Sequence, residues 1–213
     1  MSTVYYSTNG NDWINNTAWL SDVDECSWMS TAQIVCDDSG RYIELDLQEN
    51  KLVGTLPPEL VILSDSLRVI NLRENKLFGE LPAPLISDLA NLEVLDLSSN
   101  RFSGALSPQL FDAIKLTRLS LFENSLSTFI PTELGLLREL NVLDLGSNRL
   151  TSSIPSTIDK LSKLVGLSVF DNMLTGIVPS VLANLQSLEM LYIDSNNFEG
   201  PLSTGICLLN LDE

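Results

Sequence analysis

Residues 140–150, LNVLDLGSNRL, contain the pattern that decides the fold. Leu140, Leu143, Leu145, Asn148 and Leu150 fill the fixed positions of L-x-x-L-x-L-x-x-N-x-L, and the same pattern recurs along the chain. Seven Asn residues set its register: Asn50, Asn75, Asn100, Asn124, Asn148, Asn172 and Asn196. Their spacings are 25, 25, 24, 24, 24 and 24 residues, so the chain is built from an internal repeat.

Each position of the repeat has a physical role. Alternate side chains of a short strand point to opposite faces, so the Leu residues face the interior and the residues between them face solvent. The chain then turns and leaves backbone groups buried, which an Asn amide can bond through its two donors and its acceptor. The Asn column is therefore predicted to be a structural ladder without a functional role. The remaining segments, such as residues 131–137, have helical spacing and predict short helices or 3-10 turns on the convex side.

A second pattern, x-L-x-G-x-L/I-P, follows the Asn positions, as in residues 52–57, LVGTLP, and residues 77–82, LFGELP. With it the chain resembles the plant-specific class of leucine-rich repeat proteins, known from plant receptor-kinase ectodomains, polygalacturonase-inhibiting proteins and predicted proteins of diatoms and other algae. The resemblance implies a right-handed α/β solenoid of seven 24–25-residue repeats with an N-terminal disulfide cap and a short second strand in each repeat. Thr128 and Ser152 replace the Gly and Ser107 replaces the Pro, so the second strand is predicted least firmly for repeats three to five.

Three regions are predicted along the chain: an N-terminal capping region at 1–41, the seven repeats at 42–203, and the start of a truncated eighth repeat at 204–213. Both ends are expected to be cut from something longer, and the N-terminus carries no signal-peptide pattern. The three Trp residues all precede the first repeat and suit a cap over its core: Trp13, Trp19 and Trp28.

The resemblance also implies a disulfide between Cys26 and Cys36. A disulfide places the protein in an oxidising compartment, which means extracellular, at the cell surface or in an organelle lumen. Cys207 is either a buried free thiol on an apolar turn or a half-cystine with a partner elsewhere. Asn15 begins the single N-x-S/T sequon and is a candidate for glycosylation.

Composition excludes several functional classes. The chain has 213 residues, 41 of them Leu, and 12 Lys and Arg against 28 Asp and Glu give a net charge of −16. Such an acidic chain is repelled by phosphate backbones, so nucleic acid is not a predicted partner, and no 18-residue apolar stretch predicts membrane insertion. With no His, no Gly-rich phosphate loop, no nucleophile elbow and no metal-ligand cluster, no catalytic residue, cofactor or metal is predicted and the chain is not expected to be an enzyme.

The predicted concave face is strongly acidic. Among its 35 solvent-facing strand positions, 11 are acidic and three are basic, which leaves a net charge of −8 on that face. One interpretation is a hydrated face that keeps the protein soluble. The other is a trough that attracts a peptide or protein with a basic surface, since repeat proteins bind partners on such faces.

An aromatic feature interrupts the polar face. Phe122 and Phe170 share one column with Gly146 between them, and strands about 4.8 Å apart predict a slot between rings roughly 10 Å apart. Cross-strand packing would explain the rings without a ligand, but exposed Phe favours a binding site. The candidate ligand-binding residues are Phe122, Phe170, Tyr192, Met190, Gly146, Asp144, Glu123, Asp171 and Asp194.

The predicted function is non-catalytic recognition of a protein or peptide through the concave face, as the resemblance implies. The first alternative is a structural subunit of a larger multi-protein assembly, which would contact its neighbours through lateral or convex surfaces. The second alternative is carbohydrate or cell-wall recognition, because the aromatic residues could also stack on sugars.

Overall fold

The computed structural model describes residues 2–16, 19–22, 26, 36–209 and 211. Its strands form two parallel seven-stranded sheets. The main sheet contains β1 (Glu44–Asp46), β3 (Val69–Asn71), β5 (Val94–Asp96), β7 (Arg118–Ser120), β9 (Val142–Asp144), β11 (Gly166–Ser168) and β13 (Met190–Tyr192). The second sheet contains β2 (Val53–Gly54), β4 (Lys76–Glu80), β6 (Arg101–Ala105), β8 (Ser125–Thr128), β10 (Arg149–Ser152), β12 (Met173–Gly176) and β14 (Asn197–Phe198).

Short helices return the chain from the second sheet to the main sheet, as predicted. One is α-helical, α2 (Ala83–Asp88), and the others are 3-10 helices: Pro58–Leu63, Pro108–Asp112, Thr132–Leu136, Ser156–Lys160 and Ser180–Asn184. A Pro begins or directly precedes most of them, because its fixed φ and missing N–H suit the first turn of a helix. At the two ends lie α1 (Ser2–Ser7) and the 3-10 helices Gly10–Asp12 and Ile206–Leu208.

The core is a stack of identical Leu layers. Neighbouring strands of the main sheet pair in register, so Leu119 pairs with Leu143 and Leu143 with Leu167. All three side chains are buried between the sheets and the helices. Each repeat therefore contacts mainly its neighbours, and a Leu→Ala change in one layer should cost about 2–5 kcal/mol of unfolding free energy.

The predicted Asn ladder is confirmed. Asn75 Nδ2 donates to the carbonyl oxygens of Leu47 at 2.8 Å and Leu72 at 2.9 Å, and its Oδ1 accepts from Leu52 N–H at 2.9 Å. Leu47 and Leu52 belong to the preceding repeat. Five further residues donate in the same way to a carbonyl of the preceding repeat: Asn100, Asn124, Asn148, Asn172 and Asn196.

The second strand forms in all seven repeats, including those where the sequence departs from the pattern. Gly104 and Gly176 have φ values of 84° and 76°, and the residues that replace glycine have the same backbone geometry. Thr128 has φ of 77° and Ser152 has φ of 68°. A positive φ is unfavourable for a side chain with a Cβ, and most of all for a β-branched one, so the sheet imposes this geometry on both residues.

The N-terminal cap is an aromatic cluster. The ring centroids of Trp13 and Trp19 lie 4.8 Å apart, and Tyr5 lies 5.3 Å from Trp13. Trp13 Nε1 donates to the carbonyl of Thr8 at 2.9 Å, which satisfies its buried indole N–H. Trp28 lies outside the described residues.

Two of the three cysteines form the predicted disulfide, between Cys26 and Cys36. The prediction of a buried thiol at Cys207 is wrong, because Cys207 is exposed and no disulfide joins it to a described residue. Ile206 takes the inward position in that last 3-10 helix and directs Cys207 to the surface. Asn15 is also exposed, but its sequon includes residue 17, which lies outside the described residues, so glycosylation stays a prediction.

Candidate functional site

Four neighbouring strands of the main sheet carry the candidate site on their solvent-facing side. Each repeat contributes three alternate positions, which together form a grid: Arg118, Ser120 and Phe122 from repeat four; Val142, Asp144 and Gly146 from repeat five; Gly166, Ser168 and Phe170 from repeat six; Met190, Tyr192 and Asp194 from repeat seven. Strand register aligns the columns, so Asp144 pairs with Ser168 and Ser168 with Tyr192. This grid of twelve positions follows from the repeat period alone.

The grid contains a cavity of about 620 Å³, because small residues occupy its middle. Gly166 and Ser168 form the floor, where the same strand positions in other repeats carry larger side chains such as Val142 and Asp144. The taller surrounding side chains form the walls: Arg118, Phe122, Val142, Asp144, Phe170, Met190, Tyr192 and Asp194. A volume of this size is typical of a small-ligand site or of a pocket for one or two side chains of a larger ligand.

The aromatic slot predicted between Phe122 and Phe170 is closed. Their ring centroids lie 5.8 Å apart with 28° between the ring planes, so the rings stack instead of standing roughly 10 Å apart. The reason is Gly146, where an added Cβ would lie 2.7 Å from Cε1 of Phe170. Because Gly146 has no side chain, Phe170 leans across it toward Phe122. The pair forms one wall of the cavity, and the open space lies beside it.

Ser168, at the centre of the grid, has an unsatisfied hydroxyl. The residue is only 9% exposed, and its Oγ has no hydrogen-bond partner among the described residues. A buried hydroxyl without a partner costs roughly 1–3 kcal/mol, so natural structures seldom leave one without a reason. Its cross-strand neighbours on the cavity surface are Asp144 and Tyr192.

Charge around the cavity is mostly negative. Asp144 and Asp194 line it, and neither forms an ion pair with a described residue; Asp144 Oδ1 accepts from Gly146 N–H at 3.1 Å. Arg118 also lines the cavity, on the strand next to that of Asp144, and its guanidinium is 3.8 Å from Asp96 Oδ2. Arg118 is thus paired with Asp96, which does not line the cavity, and forms no ion pair with Asp144 or Asp194.

The structure brings six of the nine predicted site residues to this cavity: Phe122, Asp144, Phe170, Met190, Tyr192 and Asp194. Gly146 lies beneath Phe170, while Glu123 and Asp171 do not line the cavity. Both acidic residues directly precede a ladder Asn and have a positive φ, 53° and 51°. Glu123 also accepts a hydrogen bond from Ser99 Oγ at 2.7 Å.

The nine predicted site residues omit six residues that line the cavity: Arg118, Val142, Leu143, Gly166, Leu167 and Ser168. Gly166 is the most informative of them, because earlier repeats have Val69, Val94 and Val142 at the same strand position. A comparison of residues down each column, and not only along each repeat, would have shown the missing side chain.

The first three repeats present a different surface on the same sheet. Asn71 Nδ2 donates to Asp46 Oδ2 at 3.1 Å, and Arg68 lies 3.7 Å from Glu93. A further ion pair joins Arg73 and Glu74. Three of the six acidic side chains on this part of the face form ion pairs: Glu74, Glu93 and Asp96.

Glu44 lies at the N-terminal edge of this surface. Burial raises the pKa of its carboxyl above the usual value, and the negative charge of Asp46 adds to the increase.

The described residues contain no group of three or more His, Cys, Asp or Glu side chains arranged to hold a metal ion. None of the helices in the described part of the chain has the length and apolar character needed to cross a membrane. The site is thus an open cavity with aromatic, acidic and hydroxyl groups on its surface.

Residues 80–200 match the family model described as a leucine-rich repeat region, which is more than half of the chain. The chain belongs to the leucine-rich repeat family. Its two parallel sheets, its ladder and its cap agree with that assignment. A search of curated proteins finds no match to the sequence.

Solved structures of plant leucine-rich repeat proteins are similar to this one. The ectodomain of the receptor kinase GASSHO1/SCHENGEN3 from Arabidopsis thaliana, in complex with CASPARIAN STRIP INTEGRITY FACTOR 2, is 42% identical with a TM-score of 0.74, over 76% of this chain and 19% of that one. The Arabidopsis receptor kinase HAESA, in complex with the peptide hormone IDA and the co-receptor SERK1, is 27% identical with a TM-score of 0.84, over 99% of this chain and 36% of that one. The chain thus spans well under half of either receptor chain.

A plant ice-binding protein is also similar, with 27% identity and a TM-score of 0.77 over 98% of this chain and 81% of that one. The same fold therefore occurs in proteins with unrelated ligands, and the site must decide the function.

Proposed function

We propose that this protein recognises a peptide or an extended protein segment through the solvent-facing side of the main sheet, with the cavity in repeats four to seven as the anchor, and that it does so without catalysis. The observation that carries the proposal is the cavity itself, where Gly166 and Ser168 leave about 620 Å³ between aromatic walls. The complex of the similar receptor kinase HAESA with a peptide hormone supports a ligand of this class.

The acidic face supports a partner with a basic surface. Asp144 and Asp194 are available beside the cavity, and opposite charges at an interface accelerate association and select partners. The disulfide and the extracellular nature of the similar ectodomains support an oxidising location, outside the cell or in an organelle lumen.

The proposal is tested by filling the cavity without disturbing the sheet. A Cβ at Gly166 would lie 3.2 Å from the flexible end of Met190 and in ordinary contact with Val142 at 3.9 Å, so Gly166→Val should fold at least as stably as the native chain. Peptides selected from a random library on the native protein should bind Gly166→Val at least about tenfold more weakly, which is about 1.4 kcal/mol. Val94→Met adds bulk to the same column outside the cavity and should bind them normally. Selection that yields only peptides indifferent to Gly166→Val would contradict the proposal.

A second candidate function is ice binding, for which the second sheet offers a specific observation. Four consecutive repeats place a hydroxyl at the same position, three residues after the ladder Asn: Ser103, Ser127, Thr151 and Thr175. The strands of this sheet pair with a shift of two residues per repeat, so the four hydroxyls recur in an inclined row and do not lie directly opposite one another. Inhibition of ice recrystallisation that is lost in Thr151→Lys but retained in Thr132→Lys, a helix variant, would support it.

Two further alternatives have distinct tests. A structural role in a larger assembly predicts cross-links from the helix side to several subunits of one complex. Carbohydrate recognition predicts glycan-array binding that depends on Phe122 and Tyr192. Absence of both signals would leave the peptide proposal and the ice proposal as competitors.

A further inference from the structure

Three kinds of group meet at the cavity. Its walls are aromatic, its rim carries two aspartates, and its floor carries the unpartnered Ser168 hydroxyl. Aromatic faces attract cations, and carboxylates pair with them. Ser168 is more than nine-tenths buried and its Oγ has almost no exposed surface, so a ligand atom reaches it only when a neighbouring side chain such as Phe170 moves. That contact would satisfy a hydroxyl that the described residues leave without a bond.

We propose that this cavity binds the side chain of an arginine residue in the peptide ligand, with the guanidinium between the aromatic wall and the aspartates. The inference rests on the proposed function and specifies which residue of the peptide occupies the cavity. Asp144 and Ser168 are cross-strand neighbours, so their Cα atoms are one strand spacing apart, about 4.8 Å. A planar guanidinium offers five N–H donors in a fixed fork and can address both at once.

Arginine fits this site better than lysine or an acidic residue. The guanidinium is flat, weakly hydrated and stacks on aromatic faces, which suits walls made of Phe170 and Tyr192. Its three-carbon stem would contact Met190 and Val142. An acidic side chain would face Asp144 and Asp194, and the one nearby cation, Arg118, is already paired with Asp96 at 3.8 Å.

The test uses a minimal probe and a reporter inside the cavity. The chain contains four Met residues, so methyl-¹³C labelling gives few NMR signals, and Met190→Leu assigns the one in the cavity. N-acetyl-arginine amide should shift the Met190 methyl signal saturably. Met173, on the second sheet, should not respond. N-acetyl-citrulline amide has the same shape without the charge and should bind at least about tenfold more weakly.

A variant pair separates local charge from overall charge. Asp144→Asn with Asp194→Asn should weaken binding of the arginine probe about tenfold, because both carboxylates leave the rim. Asp112→Asn with Glu133→Gln makes the same change in net charge on the helix side and should leave binding unchanged. Ser168→Ala should weaken the probe about threefold, by loss of one hydrogen bond.

Several results would overturn the inference. Equal binding of the citrulline and arginine probes would show that charge is not recognised, and this comparison needs no variant to fold. Tighter binding of N-acetyl-glutamate amide would mean that Arg118 governs the site. No response of Met190 up to the solubility limit of the probe would also refute it. If library peptides bind through the cavity but tolerate Arg→citrulline, the inference alone fails; if no peptide distinguishes Gly166→Val, the proposed function fails instead.

Discussion

Repeats one to three and repeats four to seven share one backbone but use their solvent-facing side chains differently. In the first part, polar and charged side chains bond to one another, as the amide of Asn71 does to Asp46 and Arg68 does to Glu93. In the second part, aromatic side chains surround a space and the aspartates beside it have no ion pair with a described residue. A surface whose groups satisfy one another has little to offer a partner, so we expect the two parts to differ in binding capacity although their fold is the same.

The cause of the difference is a small number of missing side chains. Where the first part carries Val69 and Val94 in a column, the second carries Gly166; where it carries Gln48 and Arg73, the second carries Gly146. In a repeat protein every column has a usual occupant, and here the cavity lies where two columns depart from theirs in adjacent repeats, at Gly146 and Gly166.

The largest effect is expected from Gly146→Val. The new Cβ would lie 2.7 Å from Phe170 and 3.0 Å from Ser168 Oγ, so the ring must leave its stacked position. We expect about 1–3 kcal/mol lower unfolding free energy and more than tenfold weaker binding of the selected peptides. Gln48→Val makes a comparable change in the first part and should alter neither quantity. Denaturant titration and binding assays check both variants; equal effects at the two positions would remove the distinction between the parts.

The next largest effect is expected from two residues of the second sheet with unfavourable backbone geometry. Repeats one to three have glycine at the position of positive φ, while repeats four and five have Thr128 and Ser152 with φ of 77° and 68°. Thr128→Gly and Ser152→Gly should each raise the unfolding free energy by about 1 kcal/mol, because glycine adopts this geometry without steric cost. The control is Ser127→Gly. Ser127 lies in the same strand as Thr128 but does not have a positive φ, so this substitution should lower stability. A loss of stability in all three variants would show that Thr128 and Ser152 are not strained by their positive φ.

A smaller effect tests the balance of charge at the edge of the cavity. Arg118→Gln removes the one cation that lines it, so the arginine probe should bind about threefold more tightly. Arg138→Gln, on the side away from the main sheet, makes the same change in net charge and should leave affinity constant. Weaker binding in Arg118→Gln would instead place Arg118 among the groups that contact the ligand.

The smallest effect is a pH-dependent one in the first part. Because the pKa of Glu44 is raised in the folded protein, its ionised form destabilises the fold at neutral pH. Glu44→Gln should therefore be slightly more stable than the native chain at pH 7, and the gap should close as the pH falls through the raised pKa and Glu44 protonates. In an Asp46→Asn background the gap should shrink, since Asp46 contributes to the shift. Thermal midpoints across pH measure this; a gap that widens in acid would contradict it.

The fold was predictable because its signals are repeated and redundant. Seven ladder residues fix the period, and even Thr128 and Ser152 did not prevent the second strand, since neighbouring strands hold the backbone in place. The cavity was only partly predictable. Strand spacing gave the correct columns, but ring positions depend on side-chain rotation, and Phe170 rotated into the space above Gly146.

Cys207 shows the same limit at the end of the chain. Its apolar neighbours favoured burial, but the direction of a side chain in a single short helix depends on which residue faces the core. Ile206 takes that position, and one residue later the chain points outward.

The Asn ladder has a direction, which gives the molecule an order of completion. Each ladder residue bonds the repeat before its own, as Asn75 does with Leu47 and Leu52, and Asn50 does with Asn15 of the cap. Some buried backbone groups of a repeat therefore have no hydrogen-bond partner until the next ladder Asn, 24 or 25 residues later, is in place. During synthesis from the N-terminus, the buried backbone groups of each repeat are therefore hydrogen-bonded only after the ladder Asn of the next repeat has been added. The cap, which Asn50 bonds, is the first part to be completed.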